Sequence, residues 1–562
     1  MISHKAPISG IDCWSHRWVA TAGYDNQIIL WDARTKRSIS RAFHDHLVNH
    51  CRFDSTGQLL VSASSDHSAR IWSVPDLKLL AVLVGHDDDV EMAVPSPDAV
   101  RFATASRDRT IRVFDRSGLP LARLAGHSSD VLSVEWTEDG TSLISSSDDG
   151  TLRRWTASGD LIEVTDLGGV ETDTVIPGPP GTWLAGNDRG EIVVLRADRP
   201  ATRTAAHRCG IKRLAYHKAS QTLASASYDR FVKLWAVTEE GLRLRGETEA
   251  PPSVWLRAAA FGGPNHLTFG TFGSTYATYE MIGDSWNTSA VEDTPGINAI
   301  AKFDRAIWTV GDAGCVLRQG ELFARLGSPC NFLLPISGRL LSGGHLGLLF
   351  DVLERKSLYQ HDAPLNTGAT FYRDGTLHCI IGTYTGEALV FRLTATSKLE
   401  HVVTVRLLDN AVKGIACNKD IIFSVGASGA ASLFRIDTLE RIQDIPAAHG
   451  KISNAVTVLQ DGRFASVGRD LRVLIWRGTE ARELPHVHAR SIKCIAACAS
   501  SGLIATGSYD GTIAIHDEGA GITLRSERPT AAGISSIVAG DEAGLFLAAS
   551  YDGCVYRLAC HG

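Results

Sequence analysis

Three residue patterns in this chain have the types and spacing that chemistry would need. Histidine, serine and aspartate recur in a fixed order, as in His127 to Asp149 and His207 to Asp229 with serines between. Such a set is what a base-activated nucleophile is built from. Two histidine pairs, His44-Asp-His46 and His486-Val-His488, put both imidazoles on one side of a strand, as metal ligands require. The remaining signatures are missing: there is no G-x-x-x-x-G-K-[ST], no H-E-x-x-H and no G-x-S-x-G, and GASGAAS misses the last by its spacing. The His–Ser–Asp sets recur far more often than one active site needs, which assigns them to structural hydrogen bonding. One histidine of each pair falls in that same recurring slot. The expectation is therefore no metal, no cofactor and no enzymatic activity.

The elements that must position these residues are short strands. The 562 residues are 44% hydrophobic and 21% charged, with a net charge of −6, which excludes strong disorder and argues against general nucleic-acid or anionic-membrane binding. There are 53 Gly and 12 Trp against only 3 Met, the profile of many strands joined by tight turns. No hydrophobic run is long enough for a bilayer, and MISHKAPISG lacks the basic and apolar regions of a signal peptide. The 11 cysteines are scattered with no C-x-x-C pair, which reads as reduced core thiols in a cytoplasmic protein.

Self-similarity settles the architecture. GYDNQIILWD, SSDHSARIWS, SRDRTIRVFD, SDDGTLRRWT and SYDRFVKLWA share one frame, a turn Asp followed by an aromatic on the next strand: Asp25/Trp31, Asp66/Trp72, Asp108/Phe114, Asp149/Trp155 and Asp229/Trp235. GRDLRVLIWR, SYDGTIAIHD and SYDGCVYRLA repeat it near the C-terminus, and GNDRGEIVVL, GTFGSTYATY, VGDAGCVLRQ, GGHLGLLFDV, GTYTGEALVF and VGASGAASLF keep the register with eroded residues. Fourteen such anchors follow one another at a period of about 40 residues, the mark of a repeat architecture. A histidine precedes the Asp in the stronger repeats, followed by an apolar residue that opens a strand. In HSSDVLSVEW the inward set is Val131, Val134 and Trp136.

The frame G-H … S-x-D-x-x-x-x-x-W-D resembles the WD40 repeat. The likeness covers the whole chain, strongest in repeats one to four, six, twelve and thirteen. It implies an all-β fold of two seven-bladed WD40 β-propellers, each blade four antiparallel strands, with an N-terminal ring over 1–290 and a C-terminal ring over 291–562 that begins in degenerate repeats. SWNTSAVEDTPGIN marks the boundary. The last blade has either three strands or a very short fourth borrowed from the N-terminus. The resemblance also implies one hydrogen-bonded chain per strong repeat: His127, Asp149 and Trp155 in the fourth, and His207, Ser225 or Ser227, Asp229 and Trp235 in the sixth.

The function implied is a non-enzymatic scaffold binding a protein or peptide on a propeller face. Two positions per blade would point there: the residue before the turn Asp and the second residue of the inner strand. They nominate Tyr24, Arg107, Lys212, Tyr228, Arg257 and Phe272 in the first ring and Arg469, Tyr509 and Tyr551 in the second, with Ser9, Asn49, Glu91, Asp312, Asn298 and Asn366 at equivalent positions. Tyr, Phe and Arg are common binding hot spots, and a cation–aromatic face suits acidic or extended segments. Arg153 and Arg472 read as solvated. The alternatives are an enzyme with its site in a central channel, which would need convergent ionisable residues there, and an RNA-associated assembly factor, which would need a continuous basic stripe. Neither half of the chain is markedly basic. Ala-rich, Lys-poor usage hints at a bacterial source.

Overall fold

In the computed structural model, which describes residues 2–197 and 199–560, the repeats fold as thirteen four-stranded antiparallel sheets and one three-stranded sheet. The chain divides into two compact units, Met1–Thr294 and Pro295–Gly562, so the division falls four residues beyond the expected 290. Seven sheets lie in each unit, and each unit closes on itself. In the first, Ile8–Trp14 packs against Val254–Gly263; in the second, Ile297–Phe303 packs against Ile534–Ala539. These are the two seven-bladed propellers. Strands follow one another outward in each sheet, so a blade is a meander whose first strand lines the ring's centre. The fourteenth blade, Ile534–Ala559, has three strands among the described residues. Among those residues no helix is long and apolar enough to cross a membrane.

A blade's faces are buried only against its neighbours, and the cores show it. Each of fourteen hydrophobic clusters draws its residues mainly from one pair of adjacent blades. Between blades three and four, Met92, Ile111 and Val113 meet Val131, Val134 and Trp136. The first ring closes through Ile11, Val19 and Trp31 on Ala258, Ala260 and Tyr276. Here Gly270 admits Ile8 to the seam, since a Cβ at that position would lie 2.3 Å from the Ile8 carbonyl oxygen. The second ring closes on the smallest cluster, Ile297, Ile300, Leu547 and Ala549, reinforced by the Lys302–Asp541 ion pair.

The inner strands break the two-residue alternation of an ordinary strand, as the spacing from Val131 to Val134 already suggests. The pairing shifts immediately after the first residue in nearly every blade: between Ile8 and Gly10, Val48 and His50, Val131 and Ser133, Ile211 and Arg213, and likewise through the second ring. A bulge leaves one residue unpaired and re-aims its side chain. Here that residue is the second of the strand. Thr174–Pro177 pairs without a shift.

Candidate functional site

The bulge residues govern what the rings present at their centres. In six blades the bulge carries a Ser or Asn whose side chain donates to the carbonyl of the first residue in the next blade's inner strand, whereas Ser535 of blade fourteen donates to Ala549 of its own blade. Ser9 reaches Val48, Asn49 reaches Val90 (3.0 Å), Asn298 reaches Cys330 (3.1 Å), Asn331 reaches Leu365 (2.8 Å), Asn366 reaches Val412 (2.7 Å) and Asn454 reaches Ile492 (2.8 Å). Ser9, Asn49, Asn298 and Asn366 are therefore latches between blades, where the sequence had them facing a partner. The physical reason is the bulge, which turns the side chain along the ring.

In the first ring three bulge residues are charged: Glu91 and Lys212 at the second position, and Arg257 in the wider bulge of Val254–Gly263, whose pairing skips from Trp255 to Ala259. With Arg107, Asp173 and Tyr228 they line a central cavity of about 100 Å3. Four of the nominated residues, Arg107, Lys212, Tyr228 and Arg257, are thus brought together. Their charges, however, are already engaged. Arg107 donates from Nε to Glu91 and from Nη1 to Asp130, both at 2.5 Å, and Arg257 Nη2 donates to the other Glu91 oxygen at 2.7 Å. Lys212 donates to Asp173 and Asp188 and lies over the Tyr228 ring, 5.1 Å from its centroid. A face of free cations for an acidic segment is not what these residues form.

Carboxylates are in surplus around the same mouth. Glu171, Asp173 and Asp188 surround one ammonium, Lys212, and Asp148 faces Glu171, Asp130 and Asp173 with Arg107 as its cation. Burial and mutual repulsion push Glu171 up to about 8 and Asp173 up to about 6, and raise Asp148 well above the usual carboxylate range. Asp188 is held low by Lys212 and by hydrogen bonds from Asp173 and Glu171.

Deeper in the channel, fifth-position residues form a second tier. Arg52 Nη2 donates to Glu135 at 2.8 Å, and Asp12 accepts the Phe53 amide at 2.9 Å. Arg213 donates to His50 Nε2 at 3.1 Å; its burial beside Arg52 lowers it to about 10, and burial with the two guanidiniums keeps His50 neutral. Ionisable residues do converge in this channel, which the enzyme alternative would need. Their arrangement is that of paired charges. Ser9, the serine lining the cavity, donates to backbone carbonyls, and His50 accepts from Arg213, so neither is set up as nucleophile or base.

The remaining nominated residues pack locally. Tyr24 meets Trp255 edge-on at 5.2 Å and Phe272 stacks on its other side at 5.3 Å, an aromatic shelf across the ring closure. Tyr509 and Tyr551 stack at 5.9 Å, and Arg469 is half-buried in the corresponding turn of blade twelve. Arg153 is tucked 3.9 Å from Asp149, with 16% of its side chain exposed, so it is not solvated; Arg472 pairs with Glu483 at the surface.

The hydrogen-bonded chains form as the resemblance implies. In blade four Trp155 Nε1 donates to Ser145 Oγ (2.9 Å), Ser145 lies 2.8 Å from His127 Nε2, and His127 Nδ1 lies 2.8 Å from Asp149. In blade six the serine is Ser225, bonded to Trp235 (2.9 Å) and His207 (2.7 Å), with His207 Nδ1 3.0 Å from Asp229. Ser227 instead donates to the Cys209 carbonyl and accepts the Asp229 amide. Blades one, two and twelve repeat the set, and blade three lacks only the indole, having Phe114. His44 and His488 sit in this slot, in keeping with a structural role.

Asp312, nominated as a surface position of the second ring, is 7% exposed. Asn298 donates to its Oδ1, its Oδ2 has no hydrogen-bond partner, and burial raises it to about 6. A carboxyl raised in the folded state favours folding below its unfolded value near 4, and that contribution is lost as pH rises through 6. The Asp312→Asn variant is expected to be more stable than the parent above pH 6, by up to about 3 kcal/mol for a two-unit shift. The advantage should vanish near pH 4. Denaturant unfolding of both proteins from pH 4 to 8 measures it.

Comparison with known proteins places six stretches, 1–32, 37–73, 77–115, 118–156, 199–236 and 479–517, in the family described as WD domain, G-beta repeat. The first three strands of blade twelve, Ser453–Val458, Phe464–Gly468 and Val473–Arg477, lie outside them although the blade's hydrogen-bonded chain is complete. Among curated proteins the chain is 27% identical over 225 residues to the transcriptional corepressor LEUNIG_HOMOLOG of Arabidopsis thaliana, covering 39% of this chain and 28% of the relative. It is 29% identical over 163 residues to the ribosome biogenesis protein WDR12 homolog of Drosophila virilis, covering 25% of this chain and 39% of the relative. The Drosophila mojavensis WDR12 homolog is 28% identical over 165 residues. The matched region thus spans well under half of each relative.

Proposed function

We propose, on the premise that this chain is a WD40-repeat protein, that it is a non-enzymatic interaction scaffold whose first-ring mouth binds a basic segment of a protein partner. The observation that carries this is the carboxylate surplus around Lys212. Six carboxyls, Glu91, Asp130, Asp148, Glu171, Asp173 and Asp188, face three cations, Arg107, Lys212 and Arg257, and the raised values of Asp148, Glu171 and Asp173 mean that the excess is held as protons, which an incoming cation can displace. A Lys or Arg side chain would relieve the carboxylates' repulsion. The sign is opposite to the acidic partner that residue types alone suggested. The Tyr24–Trp255–Phe272 shelf offers apolar area beside it. The relatives' printed names, a transcriptional corepressor and ribosome biogenesis proteins, are not those of enzymes and fit work through partners. A direct RNA contact is the weaker reading, because the net charge is −6 and the central cations are paired. The cytoplasm is the proposed location, in keeping with eleven free cysteines; imaging of a tagged chain checks it.

The test is a fluorescently labelled Lys/Arg-rich peptide titrated into wild type and into an Asp148→Asn, Glu171→Gln variant. Wild type should bind and the variant should lose at least about tenfold, the equivalent of 1.4 kcal/mol. Because Glu171 and Asp173 are raised in the free protein, a bound cation displaces their protons, so affinity should climb between pH 6 and 8.5. Equal binding by wild type and a folded variant would remove the mouth as the site.

A further inference from the structure

On the first ring, where blade two meets blade three, a histidine and two carboxylates converge. His67 follows the turn residue Asp66, and Asp88 and Asp89 lie in the loop entering the next inner strand. One ligand atom from each lies within 4.8 Å of the others. We propose that His67, Asp88 and Asp89 form a binding site for a divalent first-row transition ion, with zinc the representative, open on the ring's face to water or to a partner's side chain. This goes beyond the scaffold reading and does not depend on the charge of the segment bound.

Three observations carry it. His67 Nε2 stands 3.9 Å from Asp89 Oδ1, too far for a hydrogen bond, whereas two ligands each about 2.0–2.2 Å from one ion stand up to about 4 Å apart. The two adjacent carboxylates are each only 5% exposed, unlike the exposed acids that cluster on many surfaces. The Arg107 guanidinium acts on Asp89, and Asp88 Oδ1 accepts the Asp89 amide at 2.8 Å; a dication would be a further counter-charge for the pair. Finally, Asp89 is oriented by an outer layer: Ser65 Oγ donates to its Oδ2 at 2.7 Å, and Asn49 Nδ2 donates to Ser65 at 3.1 Å. That leaves Oδ1 turned toward the imidazole, as outer hydrogen bonds orient metal ligands. One imidazole with two carboxylates suits zinc, cobalt or manganese better than calcium, which takes six to eight oxygens.

The fold supplies a structural control. His67 occupies a left-handed turn position (φ 68°) that Asn26 fills in blade one (φ 67°), so asparagine is tolerated there. After dialysis against chelator, the full chain is titrated with Zn2+ by calorimetry and with Co2+ by visible absorption. Wild type should take one equivalent and gain thermal stability from it. His67→Asn should unfold at the wild-type temperature in chelator yet bind at least about tenfold more weakly, and Ser65→Ala should show a smaller loss. Asp89→Asn should match His67→Asn wherever it folds. Undiminished Zn2+ binding by His67→Asn, or no stoichiometric binding by wild type, would overturn the site.

Discussion

Replacing Glu91 by alanine is expected to destabilise the first ring by about 3–5 kcal/mol, the range for removing one partner of a buried charge network. The Glu91 side chain is 4% exposed and holds two guanidiniums, Arg107 from its own blade and Arg257 from blade seven. Without it both cations face the cavity, and only Arg107 keeps a carboxylate, Asp130. Calorimetry should show one transition moving down by on the order of 10 °C while the second ring's transition stays. Glu91→Gln should fall between, because it keeps an acceptor and loses the charge. An unmoved transition in Glu91→Ala would mean that the tier contributes nothing to holding the ring closed.

The second large effect is expected at Asp229. This carboxylate is 7% exposed and accepts from His207 Nδ1, from the Arg208 amide and from the Phe231 amide. Asp229→Ala orphans three donors at once, each worth about 1–3 kcal/mol, so a loss of about 3–5 kcal/mol is expected. Blade thirteen provides the contrast. There Asp510 accepts the Ala489 and Thr512 amides and a bond from the Thr512 side chain, but His488 Nδ1 has no hydrogen-bond partner, so Asp510→Ala should cost less by the buried imidazole bond alone. Denaturant unfolding of the two variants measures the difference; equal losses would contradict a cost for the orphaned imidazole. The His207 bond and the two amides hold Asp229 below the ordinary carboxylate value. A lowered carboxylate stabilises above its unfolded value near 4, and the contribution is lost as pH falls further.

Much of this was legible in the sequence for one reason: a blade repeats the same hydrogen bonds, so the residues making them recur at fixed intervals. His207, Asp229 and Trp235 could be placed in that way. The choice between Ser225 and Ser227 could not, because both are buried on one strand face and only the approach of the indole separates them. The nominated cations could be brought together but not interpreted. Arg257 meets Glu91 across the ring from blade seven to blade three, and nothing in either repeat records that partnership. Asp12, Arg52 and Glu135 were missed, although their signal was available: a charged residue at the fifth position of an inner strand, where an apolar one would be ordinary. The cluster at His67 was equally hidden, since it joins a turn of one blade to the entry loop of the next.

What the rings share is a bulged inner strand, and both carry charge at some bulges, Lys413 and Lys493 in the second; what distinguishes the first ring is the cluster of carboxyls that its turns and entry loops bring to the mouth. The fold would tolerate neutral residues at the bulges, as the asparagine latches of the second ring show. The carboxyl excess at the first mouth is therefore the feature on which the proposed function rests. Its sign can be measured directly by titrating wild-type protein with a series of peptides of equal length whose charge steps from Glu-rich to Lys/Arg-rich, at two salt concentrations. Affinity should rise with positive charge and weaken as salt increases. Tighter binding of the Glu-rich members, or affinity indifferent to charge, would contradict a first-ring mouth built for basic segments.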